Sequence, residues 1–239
     1  MPYLVRLWRD PTRTKYDEQP MSPTRAPLSR DRVLTGAVEL ADRVGIEGVT
    51  IRRLADELDV KPMTIYHHVA NKEAIVDGMV DRVFAEIDLP PTDVTWREAM
   101  AVRCRSARAV LARHWWAAPL MESRTSPGPA TLTHHDAVLG CFRTAGFSVA
   151  LTAHAYAVLD SYVYGFALQE AGLPATGGEE LTDLAEAITA DMPDGTYPHL
   201  REMTERHFAV DGYDFGDEFD FGLTLLLHGL EAAARAERV

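Results

Sequence analysis

The stretch VKPMTIYHHVANK, residues 60 to 72, packs a proline, a hydroxyl, a tyrosine and two adjacent histidines into a few helical turns. Side chains of these types can hold a metal, relay a proton or contact a phosphate backbone. Two other groups invite the same question: His134-His135, and His199-x-x-Glu202 with His207. Adjacent helical residues point about 100° apart, so neither histidine doublet shares one ion easily. His199 and Glu202 lie on one face but lack a third close ligand, so solvated or capping roles are expected for these groups, and no metal or other cofactor. No GxSxG, P-loop, HExxH or glycine-rich dinucleotide signature occurs, so an enzyme has no residues to stand on.

The elements that must position the segment follow from local pattern. Ser29 is an N-cap candidate for a first amphipathic helix carrying Val33, Leu34, Ala37, Val38, Leu40, Ala41 and Val44, stopped by Gly45. Thr50 caps a short second helix with an apolar stripe of Ile51, Leu54, Ala55 and Leu58, which Asp59 and Val60 end. Lys61-Pro62 opens a third, and Asn71 caps a fourth that runs through Ile75, Met79, Val83 and Phe84 to about Asp88. Two short helices joined by a tight turn between longer ones make a helix-turn-helix layout. In the third helix Ile65 and Val69 stack toward a core, leaving Lys61, Met63, Thr64 and His67 able to reach base edges or methyl groups. Tyr66, His68 and Lys72 suit phosphate oxygens, as do Thr50 and Arg52 at the start of the preceding helix. A capped helical hairpin inside a larger core fits the local pattern too.

The chain of 239 residues carries a net charge of -12, which at first argues against nucleic acid. Its distribution answers that objection: residues 1 to 72 hold 12 Lys and Arg against 10 Asp and Glu, while residues 73 to 239 hold 12 against 26. An acidic body behind a less acidic head can present one end to DNA. Residues 1 to 27 read as a flexible arm rich in Pro, Arg, Thr and Ser, within which Met21 offers a second possible start. No secretion signal or membrane-length apolar run is present, so a cytoplasmic protein with no membrane partner is expected. Cys104 and Cys141 lack CxxC spacing and read as small core residues.

Beyond Pro90-Pro91 the pattern is helical throughout, giving an all-α fold. Thr95 caps a helix to about Trp115, another spans Pro129 to Ala145, and Ser148 caps a long one to Ala171. A helix near Leu181 to Asp191 and a last one from Glu218 to about Ala236 follow, with Gly222 and Gly229 permitting close approach. The two long helices around 148–171 and 218–236 are apolar over more than one stripe, so one face lines a core and another is available to a partner.

GIEGVTIRRLADELDVKPMTIYHHVANKEAIVDGMV resembles the N-terminal domain of the tetracycline repressor (TetR) family of transcriptional regulators. TDVTWREAMAVRCRSARAVLARH, FRTAGFS, YVYGFALQE and FDFGLTLLLHGLEA are similar to the C-terminal domain of its tetracycline repressor subfamily. The resemblance implies a helix-turn-helix DNA-binding domain over 28–88 and a helical effector-binding and dimerisation domain over 92–239. It implies double-stranded palindromic operator DNA as a partner, touched by Thr50, Arg52, Lys61, Pro62, Met63, Thr64, Tyr66, His67, His68 and Lys72. His67 departs from the family, where Tyr or Trp is commoner. Also implied is a homodimer through 148–171 and 218–236, released from DNA by an unknown, largely apolar effector. The pocket wall would draw on Arg103, Ala107, Leu111, Met121, Leu132, His135, Leu139, Leu159, Tyr162 and Phe166, with Arg103 or His135 as anchor and Trp115 and Trp116 near the mouth. Where tetracycline repressors carry a histidine for drug-chelated magnesium this chain has Met121, a soft thioether, so tetracycline with magnesium is not the expected effector. A ligand-independent architectural DNA-binding protein using the same helices is the alternative.

Overall fold

In the computed structural model the chain is described over residues 27–193, 195–210 and 212–237. The arm of residues 1–26 and the choice between Met1 and Met21 lie outside the described residues. Ten α-helices and no strand occur among the described residues. The first four are α1 (Arg30–Val44), α2 (Ile51–Leu58), α3 (Pro62–Ile65) and α4 (Lys72–Glu86). The Ser29 hydroxyl accepts the Arg32 N–H at 3.1 Å, Thr50 that of Arg53 at 3.2 Å, and the Asn71 amide oxygen that of Ala74 at 2.8 Å. Each cap satisfies a donor the first turn leaves without an intrahelical partner. Asp59 adopts the left-handed conformation, with φ of 55°, which terminates α2 and turns the chain toward α3.

The body follows with α5 (Trp96–Arg113), α6 (Pro129–Thr144), α7 (Val149–Gly172), α8 (Gly178–Ala190), α9 (Pro198–Met203) and α10 (Asp217–Ala236). A capping box between Thr95 and Glu98 starts α5, and the Ser148 hydroxyl caps α7 through the Leu151 N–H at 3.0 Å. The first turn of α6 has no cap of its own from Gly128, and Asp81 of α4 supplies one by accepting the Thr131 N–H at 2.8 Å. α5 packs on α7, α6 on α4 and α7, and α10 on α7 and α5. A single apolar core runs from Leu34, Leu54 and Ile65 through Met79, Val83 and Phe84 of α4 to Leu111, Phe142, Leu159 and Phe219.

Several boundaries differ from the sequence expectation. α5 stops at Arg113, because His114 leaves helical geometry at φ -110° and ψ 56°. The α-helical part of α3 ends at Ile65, and the chain reaches Val69 through tighter bonds such as His67 N–H to Thr64 O and His68 N–H to Ile65 O. Past α9, residues Thr204–Phe208 widen into a π-turn. Gly222 does allow a close approach: an added Cβ would lie 2.2 Å from the Tyr162 hydroxyl. Gly229 meets nothing within 4 Å, so its lack of a side chain serves no contact inside the protomer.

Candidate nucleic-acid interface and interior polar site

Ile65 and Val69 are buried, and they set which way the rest of the 61–69 segment faces. Lys61, Pro62, Met63, Tyr66 and His67 are exposed, Met63 to 69%, far more than a methionine that packs against its own chain. Thr64 and His68 are half-buried at the flanks. Thr50, Arg52 and Lys72 are exposed beside this surface, at the first turns of α2 and α4 or immediately before them. The surface therefore offers apolar, hydroxyl and imidazole groups in its middle and cationic or hydroxyl groups at its edge. Base edges and methyls suit the former, and phosphate oxygens the latter.

The body's interior holds a polar cluster that local sequence pattern does not reveal. Arg103 is fully buried and donates from Nη1 to Asp160 Oδ1 at 2.6 Å. Its Nε and Nη2 both lie against His134 Nε2, at 3.0 and 2.9 Å. Because a guanidinium only donates, Nε2 must carry the lone pair, so the His134 proton sits on Nδ1. That Nδ1 and Asp160 Oδ2 are buried without a partner in the chain. Burial, the Arg103 charge and His135 together push the His134 pKa down to about 3. Burial works to lower the Arg103 pKa, and the Asp160 carboxylate overrides it, holding the guanidinium charged. His134 was expected to be solvated or capping; it is instead the buried acceptor of an arginine. His135, half-buried, bonds through Nδ1 to the Tyr156 hydroxyl.

Of the ten residues expected to line a pocket, Arg103, Ala107, Leu111, Met121, Leu159 and Phe166 are buried in the body. Tyr162 is half-buried, its hydroxyl donating to Phe219 O at 2.9 Å. Leu132 and Leu139 are not brought to that interior: α6 turns Thr131, His134 and Val138 inward, leaving these two 56% and 38% exposed. Trp115 and Trp116 both bond Asp42 of α1 through their indole N–H groups, Trp116 from within the core and Trp115 from a half-exposed position. A cleft of about 120 Å³ lies between α4, the 121–127 segment and α6, lined among others by Asp77, Met121, Arg124, Thr131 and His135. Met121 and His135, both expected in a pocket wall, line this cleft. Among the described residues no three His, Cys, Asp or Glu side chains are grouped to hold a metal, and His207 pairs with Glu218 at 2.8 Å.

On the far side of the body, α7 exposes Val158 and Leu168 to 41% and 47%, and α10 exposes Phe221 and Leu225 to 67% and 57%. Phe221 and Leu225, four residues apart, form an apolar stripe on α10, and on the neighbouring α7 Val158 and Leu168 flank the small exposed residues Ser161 and Gly165, faces that no other described residue covers.

Comparison with known proteins agrees with this architecture. Residues 33–79 match the family model described as bacterial regulatory proteins of the tetR family, and residues 89–234 match that of the tetracyclin repressor-like C-terminal domain. The HTH-type transcriptional repressor DrrR1 of Streptomyces coeruleorubidus is 34% identical over 232 residues, covering 90% of this chain and 83% of that protein. The structure of the Streptomyces coelicolor TetR family protein ActR in complex with actinorhodin superposes with a TM-score of 0.70 at 28% identity, covering 87% of this chain and 99% of ActR. That of BioQ with its double-stranded DNA operator gives 0.59 at 26% identity, over 86% and 99% of the two chains. No helix among the described residues is long and apolar enough to cross a membrane. Proteins of this kind are DNA-binding transcription regulators and not enzymes, and on two family models that together span most of its length the chain belongs to the tetracycline repressor (TetR) family.

Proposed function

We propose that the chain is a ligand-responsive repressor that binds palindromic operator DNA as a homodimer. The observation that carries this is the outward surface of the 61–69 segment, with Met63, Tyr66 and His67 exposed over a buried Ile65 and Val69. In this reading residues 28–88 form the DNA-binding domain and residues 92–239 the effector-binding and dimerisation domain. Thr50, Arg52, Lys61, Pro62, Met63, Thr64, Tyr66, His67, His68 and Lys72 contact the operator. The exposed faces of α7 and α10 meet their copies in a partner chain, which places two heads about one DNA turn, roughly 34 Å, apart. A small, largely apolar effector enters near Met121 and His135, and the unpartnered His134 Nδ1–H and Asp160 Oδ2 are the interior donor and acceptor it can reach. The effector must favour the arrangement of heads that does not fit DNA.

The test is a shift assay with DNA selected by the protein from a random pool, repeated over a range of salt. Retention that falls steeply with salt is expected; no retained fragment at low salt would end the repressor reading. A ligand-independent architectural protein is the second reading. It is favoured by close packing, since Arg103, Ala107, Leu111 and Leu159 are at most 1% exposed and the adjoining cleft is small. Screening small, largely apolar, ring-containing compounds for release of the selected DNA separates the two.

A further inference from the structure

The head is tied to the body at a second place besides α4. Three consecutive residues just past the end of α5, His114, Trp115 and Trp116, all bond one residue in the last turn of α1, Asp42. His114 Nδ1 and the Trp116 indole N–H both lie 2.7 Å from Asp42 Oδ1, and the Trp115 indole N–H donates to the Asp42 backbone oxygen at 3.3 Å. The other ring nitrogen of His114 lies 3.2 Å from both carboxylate oxygens of Glu86, at the end of α4. Arg113 donates to Glu86 at 2.7 Å, and the hydrogen bonds from Arg113 and His114 overcome burial to hold the Glu86 pKa below its ordinary value. His114 and Trp116 are buried, at 6% and 2% exposure. The half-exposed Trp115 ring lies over Gly45, where an added Cβ would come within 2.8 Å of it and φ is +75°. Glycine is required there by the backbone and by the indole together.

We infer that His114, Trp115 and Trp116 are positioning residues: with Asp42 and Glu86 they form a latch that fixes the angle of the DNA-reading head on the body. One connecting helix leaves a head free to rock about it, whereas a second point of attachment removes that freedom. The latch also gives α5 a direct grip on the head. Arg103, Ala107 and Leu111, which the proposed effector site uses, lie on α5, and His114 ends the same helix. A shift of α5 is therefore passed to α1 through Asp42, and α1 packs against α2, which packs against α3. This deepens the repressor reading and rests on it for its consequence, although the latch itself can be tested without DNA.

The test uses spin labels at Asp56→Cys on the head and Asp136→Cys on the body, both exposed, in a Cys141→Ser background; Cys104 is fully buried. Labelled chain diluted in unlabelled chain reports the distance within one protomer by pulsed electron resonance. Asp42→Ala is expected to broaden or shift that distribution and to lower affinity for pool-selected DNA on the order of 10-fold. Asp42→Asn keeps an amide oxygen in the place of Oδ1 and is expected to restore most of both. Trp116→Phe, which removes one donor and keeps an aromatic ring, is expected to give an intermediate broadening should Asp42→Ala fail to fold. An unchanged distance distribution in Asp42→Ala, or in Trp116→Phe where that is the folded variant, overturns the latch. Failure of the parent protein to retain any DNA overturns the repressor reading alone, because the distance measurement stands apart from it.

Discussion

Lowering the pH should destabilise this fold through His134 in a way that one substitution removes. In the folded chain His134 is neutral down to about pH 3, while in the unfolded chain it titrates near its ordinary value of 6.5. The unfolded state therefore binds a proton between these values and the folded state does not, so stability is fully present above about 6.5 and falls as the pH drops toward 3. From these two values, the loss between pH 7 and pH 5 is about 2 kcal/mol, and about 3 kcal/mol by pH 4. Against the ~5–15 kcal/mol that holds a typical domain, that is a large fraction. Urea unfolding followed by circular dichroism at pH 7, 6 and 5 measures it. His134→Gln keeps an acceptor for Arg103 and has no proton to gain, so its stability should fall about 2 kcal/mol less over the same range. Groups that the substitution leaves untouched contribute equally to both proteins and cancel in the difference. Equal slopes in the two proteins would refute the assignment of His134 as a neutral, buried acceptor.

The ion pair beneath it makes a second prediction. Arg103→Met or Asp160→Leu alone leaves a buried charge uncompensated and should cost about 3–5 kcal/mol, lowering Tm on the order of 10 °C, while the double variant recovers most of the loss in a calorimetric cycle. On the DNA side, Tyr66→Phe and Lys72→Ala should weaken binding to all sequences, with Lys72→Ala lowering the salt slope by about one. Substitutions at Lys61, Met63 or His67 should instead change which sequence a selection returns, and uniform losses from both sets would mean the reading surface is misassigned. Leu225→Asp or Phe221→Glu, both on the exposed stripe of α10, should turn a dimer into a monomer in sedimentation at micromolar concentration, with little loss of helix content.

What the sequence made legible was local. Ser29, Thr50, Asn71, Thr95 and Ser148 announce helix starts because a cap and the donor it satisfies lie within three residues, and the structure places all five as caps. The inward pair Ile65 and Val69 is likewise fixed by helical periodicity alone. The interior site was not legible, because its partners lie far apart in the chain: Arg103 and Asp160 are separated by 57 residues, and His114 and Asp42 by 72. A histidine doublet on an amphipathic helix looks the same whether it meets water or a buried guanidinium. The register of α6 shows the same limit, since Leu132 is as apolar as Val138 and only packing decides that Val138 turns inward.

The cap that Asp81 lends to α6 has a consequence for watching this protein move. Most helices here carry their own N-terminal acceptor or begin without one, but α6 borrows its acceptor from the helix that joins head to body. The Thr131 amide is thereby shielded only while α4 keeps its position. Should α4 slide along α6 by little more than the length of a hydrogen bond, that amide faces water and its hydrogen exchanges. A single backbone site in the body is thus a gauge of the connecting helix, readable in the unlabelled protein without knowing either its operator or its effector.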